Sequence, residues 1–96
     1  MSKKEYEHYL KEFKSKRTAQ IPYDIYVKIL KKEFSAEEGK RSQSGGSKRS
    51  FKIGNIVFVL HEPHRRGECV GKWDHQNVYD QLKLHGVLAD EKEGNN

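Results

Sequence analysis

The sequence has one cysteine, Cys69, among its 96 residues, so an internal disulfide cannot form. It has two prolines and no apolar run long enough for a transmembrane helix. The residues after Met1 are Ser-Lys-Lys-Glu, which lack the apolar stretch of a secretory signal peptide. These shortages argue against a cross-linked secreted scaffold and against a membrane protein, and they predict a cytoplasmic location.

Apolar residues are also scarce, at 33% of the chain against 34% charged residues, so a single domain with a thin core is expected. Bases exceed acids by 19 to 14. No acid lies between residues 40 and 52, where five bases occur, and a second basic group follows in residues 64–66. Such clusters are typical of surfaces that bind nucleic acids, although a solubilising loop has the same composition. The basic residues are Lys40, Arg41, Lys48, Arg49, Lys52, Arg65 and Arg66.

Apolar periodicity predicts three helices. The first spans Lys3 to Lys16, and the second begins at Ile21-Pro22 and ends near Phe34. The third spans His75 to His85, with Asp74 as its N-cap and Gly86 as its terminator. The expected inward stripes are Tyr6, Tyr9, Leu10 and Phe13 in the first helix, Tyr23, Val27, Leu30 and Phe34 in the second, and Val78, Leu82 and Tyr79 in the third.

Two β-type runs, Lys48 to Ile53 and Ile56 to His61, flank the dipeptide Gly54-Asn55, which predicts a hairpin with a two-residue turn. In that register Phe51 faces Phe58, and Lys48 faces His61. The core face then holds Phe51, Ile53, Ile56, Phe58 and Leu60. Lys48 and His61 are predicted to be neighbours on the face directed away from the helices. On that face Val57 and Val59 require cover from the first helix or from another chain.

The stretch from Glu37 to Ser47 is rich in glycine and charge, and it is interpreted as a poor edge strand or as a linker. With the edge strand, the chain is an α+β fold of order α-β-β-β-α, preceded by an extra N-terminal helix. Its three-stranded antiparallel sheet carries the helices on one face, as in double-stranded-RNA-binding domains. The predicted divisions are a helical extension at 1–20, an RNA-binding domain at 21–88 and a disordered tail at 89–96.

The segments Gly46-Ser47-Lys48-Arg49-Ser50-Phe51 and Leu60-His61-Glu62-Pro63-His64 resemble the HicA family of toxin ribonucleases. The resemblance covers about residues 21 to 88 and implies a double-stranded-RNA-binding-like fold, metal-free cleavage of mRNA and a HicB-type antitoxin partner. The family's catalytic histidine follows the Gly-Ser pair, and here that position is Lys48. The chain is similar to a branch that combines a Gly-Ser-basic segment with a His-x-Pro-His segment.

Metal-free cleavage requires a base, an acid and cations around the reacting phosphate. The candidate catalytic residues are His61, His64 and Lys48, and Ser47 joins the basic residues as a candidate RNA contact. No cofactor or metal site is expected, because His61 and His64 lack a third ligand at a specified spacing. Cys69 is interpreted as a buried filler, Trp73 as a core residue, and His8, His75 and His85 as solvated helix residues.

Three functions remain open at this point. The first is an RNA-cleaving toxin neutralised by an antitoxin. The second is a non-catalytic RNA- or DNA-binding module, in which the presence of Lys48 at the position of the family's histidine reflects loss of the ribonuclease activity. The third is a protein-interaction domain with a basic loop. Self-association is also left open.

Overall fold

The computed structural model describes residues 2–39, 48–63, 65 and 67–88, which form an α+β fold as predicted. Its helices are α1 (Lys3–Ser15), α2 (Tyr23–Glu33) and α3 (Lys72–Leu84). Its strands are β1 (Glu37–Glu38), β2 (Lys48–Ile53) and β3 (Ile56–His61), which pair antiparallel in the order β1-β2-β3. Over the described residues, no helix is both long and apolar enough to cross a membrane.

The β2–β3 hairpin has the predicted register. Ile53 lies opposite Ile56, Phe51 opposite Phe58, and Lys48 opposite His61. Gly54 has a φ of +59° at the first central position of the turn, as in a type II′ turn, which suits the twist of the two strands. The Phe51 and Phe58 rings stack with centroids 6.1 Å apart, so the apolar cross-strand pair anchors the register against the core.

The predicted edge strand is present but short. Glu37 pairs with Lys52 and Glu38 with Phe51. The backbone N–H of Gly39 then donates to the Ser50 carbonyl at 2.8 Å. A Cβ on Gly39 would collide with the Ser50 side chain, so glycine permits this close approach. The remainder of the predicted strand region, residues 40–47, lies outside the described residues.

The inward face of α2 is rotated from the predicted one. Tyr23 and Leu30 are buried as expected, whereas Val27 and Phe34 are only partly buried. Tyr26 and Ile29 take the central positions instead and are fully buried. The stripe is wider than a single row because Tyr26 of α2 contacts both Phe13 of α1 and His75 of α3.

Helix α1 belongs to the same core as the sheet. Phe13 has no exposed surface, and its ring centroid lies 4.9 Å from that of Tyr26 and 5.5 Å from that of His75. At the other end of α1, the Tyr6 hydroxyl donates to Glu33 Oε2 of α2 at 2.8 Å. Burial and the Glu33 carboxylate raise the pKa of Tyr6 to about 12. Tyr6 and Phe13 of α1 therefore belong to the same buried cluster as the residues of α2 and α3.

All helices lie on one side of the sheet. The apolar side chains of β2 and β3 that face the helices join a single buried cluster with residues of α1, α2 and α3. On the opposite side, Val57 and Val59 remain 58% and 40% exposed. The first helix therefore does not cover these valines, which leaves an open outer sheet face.

Candidate active site

The outer sheet face carries the predicted pair of functional residues. Lys48 and His61 lie directly opposite each other at the end of the hairpin remote from the turn, and both are exposed. Side chains at opposed positions of an antiparallel pair start from Cβ atoms about 4.5–5.5 Å apart. The Lys48 and His61 side chains therefore leave the sheet side by side, while the His61 ring is bonded to the first turn of α3 at the end of the sheet.

Asp74, which the sequence analysis did not include among the candidate site residues, holds His61 in place. The Asp74 carboxylate accepts a hydrogen bond from the His61 backbone N–H at 2.8 Å, and both of its oxygens lie 3.1 Å from His61 Nδ1. The Asp74 side chain is only 15% exposed, whereas the His61 side chain is 58% exposed. Because a carboxylate accepts at Nδ1, the neutral imidazole carries its proton there and presents the Nε2 lone pair to solvent.

The prediction that Asp74 is an N-cap is wrong. The helix begins three residues earlier than predicted, at Lys72, and Gly71 occupies the N-cap position without a side-chain hydrogen bond. Asp74 is therefore inside the first turn, and its side chain reaches β3 instead of its own backbone. A carboxylate in the first turn also interacts favourably with the helix dipole. No local sequence signal distinguishes these two roles, because the contact joins residues that are far apart in the hairpin and the helix.

Arg49 is directed away from the outer sheet face. Its guanidinium contacts Glu38 Oε2 at 2.7 Å and Glu62 Oε1 at 3.1 Å, and its side chain is only 19% exposed. It shares the helix-facing side of the sheet with these two acids. Burial alone would raise the pKa of Glu38, but hydrogen bonds from Lys31 and Arg49 lower it below its usual value. Two carboxylates thus offset the charge of Arg49, which makes it a structural ion pair and a poor phosphate ligand.

Of the other predicted RNA contacts, two are exposed in the structure and the rest lie outside the described residues. Lys52 is exposed on the outer sheet face, next to Val57 of β3. Arg65 is exposed in the segment between β3 and α3, where its backbone N–H donates to Glu68. Neither cation forms an ion pair with a carboxylate of the described ranges. The remaining predicted site residues lie outside the described residues, namely Lys40, Arg41, Ser47, His64 and Arg66.

His75 is a core residue, so its assignment as a solvated helix residue is wrong. It has no exposed surface, and its Nε2–H donates to the Lys16 carbonyl at 2.7 Å. Its Nδ1 lies 2.8 Å from the Tyr26 hydroxyl and accepts from it when the ring is neutral. One imidazole therefore links α3 to α2 and to the end of α1, and both of its nitrogens are satisfied.

The buried imidazole predicts that stability falls in mild acid. Burial lowers the pKa of His75, and the Lys16 carbonyl and the charge of Asp80 offset this only in part. The unfolded chain then binds more protons, so stability is full above about pH 6.5 and is lost as the pH falls through the folded pKa, by at most about 1.4 kcal/mol per pH unit. Urea unfolding at about pH 7.5 and about pH 5.5 measures this loss.

His75→Gln is the matched variant for that measurement, because its amide keeps a donor for the Lys16 carbonyl but does not titrate. Wild type should lose more stability between the two pH values than this variant. Equal losses would contradict the assignment of the effect to His75.

Two further assignments are wrong. Cys69 is exposed instead of buried, because the extended backbone that pairs with Pro22 directs the next residue, Val70, into the core. Trp73 is 76% exposed instead of packing under α3, because the helix starts before it and turns it outward. The described ranges contain no group of three or more histidine, cysteine, aspartate or glutamate residues placed to hold a metal ion.

The arrangement on the outer sheet face is suited to proton transfer next to a polyanion. An oriented imidazole with a free Nε2 can accept a proton, and the ammonium of Lys48 can attract a phosphate. Comparison with protein-family models, with curated proteins and with solved structures finds no match to this chain.

Proposed function

We propose that this chain is an RNA-binding toxin that cleaves mRNA without a metal, as one half of a cytoplasmic type II toxin-antitoxin pair. The observation that supports this most is the imidazole of His61, held by Asp74 on an exposed face beside Lys48. The Asp74 carboxylate fixes both the backbone and the ring of His61. Such a pair orients a general base and stabilises the imidazolium that forms.

The proposed reaction is an internal transesterification of RNA. His61 Nε2 takes the proton of a ribose 2′-hydroxyl, and the 2′ oxygen then forms a bond to the adjacent phosphorus. The bond from phosphorus to the 5′ oxygen of the next nucleotide breaks. That oxygen receives a proton from water or from a second acid, for which His64 is the candidate from the sequence. The products are a 2′,3′-cyclic phosphate and a 5′-hydroxyl end.

Lys48 has an electrostatic part in this proposal. Negative charge accumulates on the phosphate oxygens as the 2′ oxygen attacks, and a nearby ammonium stabilises it. Lys48 stands where the resembled family has its histidine, and the base is provided from the opposite strand by His61. In this proposal the general base therefore lies on β3, at His61, directly opposite the position on β2 where the resembled family has it.

The exposed valines support the expected antitoxin partner. Val57 and Val59 lie on the same face as Lys48 and His61, and apolar side chains at the centre of a polar surface are typical of protein interfaces. A HicB-type antitoxin that covers these valines would also mask His61. Inhibition would then follow from blocked access of RNA to the face.

The test is cleavage of a mixed-sequence single-stranded RNA in EDTA by wild type, by His61→Ala and by His85→Ala. We expect wild type to cut and His61→Ala to be slower by at least about 100-fold, because the general base is lost. His85 is an exposed histidine at the end of α3, so His85→Ala should retain the wild-type rate. Binding of RNA should remain in all three proteins.

Two outcomes would contradict the proposed ribonuclease activity. RNA binding by wild type without cleavage would identify a non-catalytic nucleic-acid-binding module of the same fold. RNA binding that is absent at low salt would reject both nucleic-acid functions and leave the protein-interaction domain, because phosphate contacts strengthen as salt is lowered.

A further inference from the structure

Trp73 is exposed to an extent that packing does not explain. It is the only tryptophan in the sequence, and 76% of its surface is accessible. The buried residues of α3 begin at His75 and continue through Leu82, on the side of the helix that faces the core. Trp73 is directed away from that side. A large aromatic side chain left in water at one end of a helix suggests a contact surface.

The position of Trp73 connects it to the proposed active site. It directly precedes Asp74, whose carboxylate is bonded to His61. Long side chains in a helix lean toward its N-terminus, so the indole covers the start of α3 and not its middle. The first turn of α3 therefore carries both an exposed aromatic ring and the carboxylate that orients the proposed base.

The surroundings of the indole suit a nucleotide. The Lys72 ammonium lies over the ring, 5.5 Å from its centroid, which leaves the opposite face for another flat group. Arg65 is exposed in the segment that leads into α3, and Lys48 is exposed across the hairpin from His61. An exposed aromatic platform beside a cation, on a domain with further exposed cations, is the combination that binds single strands, because bases stack on the ring and phosphates bind the positive charges.

We propose that Trp73 stacks one unpaired base of single-stranded RNA, next to the phosphate on which His61 acts. This inference rests on the proposed function and adds the substrate class to it. A base in a duplex is already stacked on both faces and cannot occupy the platform unless it is extruded. Trp73 thus acts as a positioning residue that selects single-stranded over double-stranded RNA.

Because Trp73 is the only indole, its fluorescence reports directly on the platform. Titration with a short mixed-sequence single-stranded RNA should quench the emission, whereas the same sequence as a duplex should not. Inorganic polyphosphate, which offers the charge without bases, should also leave the emission unchanged. The anisotropy of a labelled RNA, measured in parallel, gives binding independently of stacking.

Variants separate stacking from general apolar contact. Trp73→Leu should weaken single-strand binding by about 5- to 150-fold, the range for one stacked base, and Trp73→Phe should restore part of that loss. Leu84→Ala is the matched control, because Leu84 is 82% exposed at the other end of the same helix, and it should bind like wild type.

The outcomes distinguish this inference from the proposed function. Labelled RNA that binds without quenching, with full affinity in Trp73→Leu, would overturn the stacking inference and leave RNA binding intact. Equal quenching by duplex would overturn the selection of single strands. Labelled RNA that does not bind wild type at low salt would overturn both.

Discussion

Replacing Asp74 by asparagine is expected to slow RNA cleavage by about 10²- to 10⁴-fold, which is the range for loss of a general base. The amide oxygen can still accept from the His61 backbone N–H, so the local fold should remain. The amide nitrogen, however, donates, and it favours the tautomer in which His61 Nδ1 is the acceptor and Nε2 carries the proton. Nε2 then has no lone pair for the 2′-hydroxyl. Single-turnover cleavage in EDTA gives the rate, and RNA anisotropy should show unchanged affinity.

The control for this variant is Asp24→Asn. Asp24 is an exposed acid in the first turn of α2, so it matches Asp74 in its place relative to a helix dipole but not in its contact with His61. Asp24→Asn should cleave at the wild-type rate. Because His61 and Asp74 act as a unit, the double variant His61→Ala/Asp74→Asn should be no slower than the slower single variant. Additive losses of cleavage rate in the double variant, or full activity in Asp74→Asn, would contradict the proposal that His61 and Asp74 act together.

The sequence predicted the hairpin part of this site because strand pairing follows from local features. The dipeptide Gly54-Asn55 determines the turn, and the period of two then determines every opposed pair, including Lys48 with His61. The alternation also separates the core face from the outer face. This reasoning is local, so it needed no knowledge of how the helices pack.

The residues that the sequence analysis missed depend on packing between distant elements. Asp74 reaches His61 only because α3 begins near the end of β3, and His75 is buried only because α1, α2 and α3 meet around it. The polar character of Asp74 and His75 indicates neither the contact with His61 nor the burial in the core. Trp73 was misplaced for a related reason, since an error of a few residues in where α3 starts misplaces the residues of its first turn. Helix ends are therefore where sequence-based assignment of this site failed.

The N-terminal helix α1 has a structural role that the sequence analysis did not predict. Residues 21–88 contain the elements of the α-β-β-β-α arrangement, and the sequence analysis treated the first helix as an addition to it. In the structure that helix packs the Phe13 ring against the rings of both Tyr26 and His75, which also contact each other. A domain with so few apolar residues gains burial from it. The helix therefore acts as part of the core that fixes α3, and through α3 it supports the position of Asp74.

Phe13→Ala tests this role and should be the most destabilising of these variants. Truncation of a fully buried phenylalanine costs about 3–5 kcal/mol, and a domain of this size has only about 5–15 kcal/mol of stability. The melting temperature should fall by about 4–8 °C for each kcal/mol lost. Urea unfolding followed by circular dichroism measures the free energy of unfolding.

Lys14→Ala provides the comparison, because Lys14 is exposed in the same turn of α1 and its removal should change stability by less than about 0.5 kcal/mol. If Phe13→Ala costs no more than Lys14→Ala, residues 1–20 are an appendage and α3 is held without them. If the full loss is observed, α1 is required for a stable core. Cleavage by Phe13→Ala should then decline with the folded fraction as urea is added, since the orientation of His61 depends on α3.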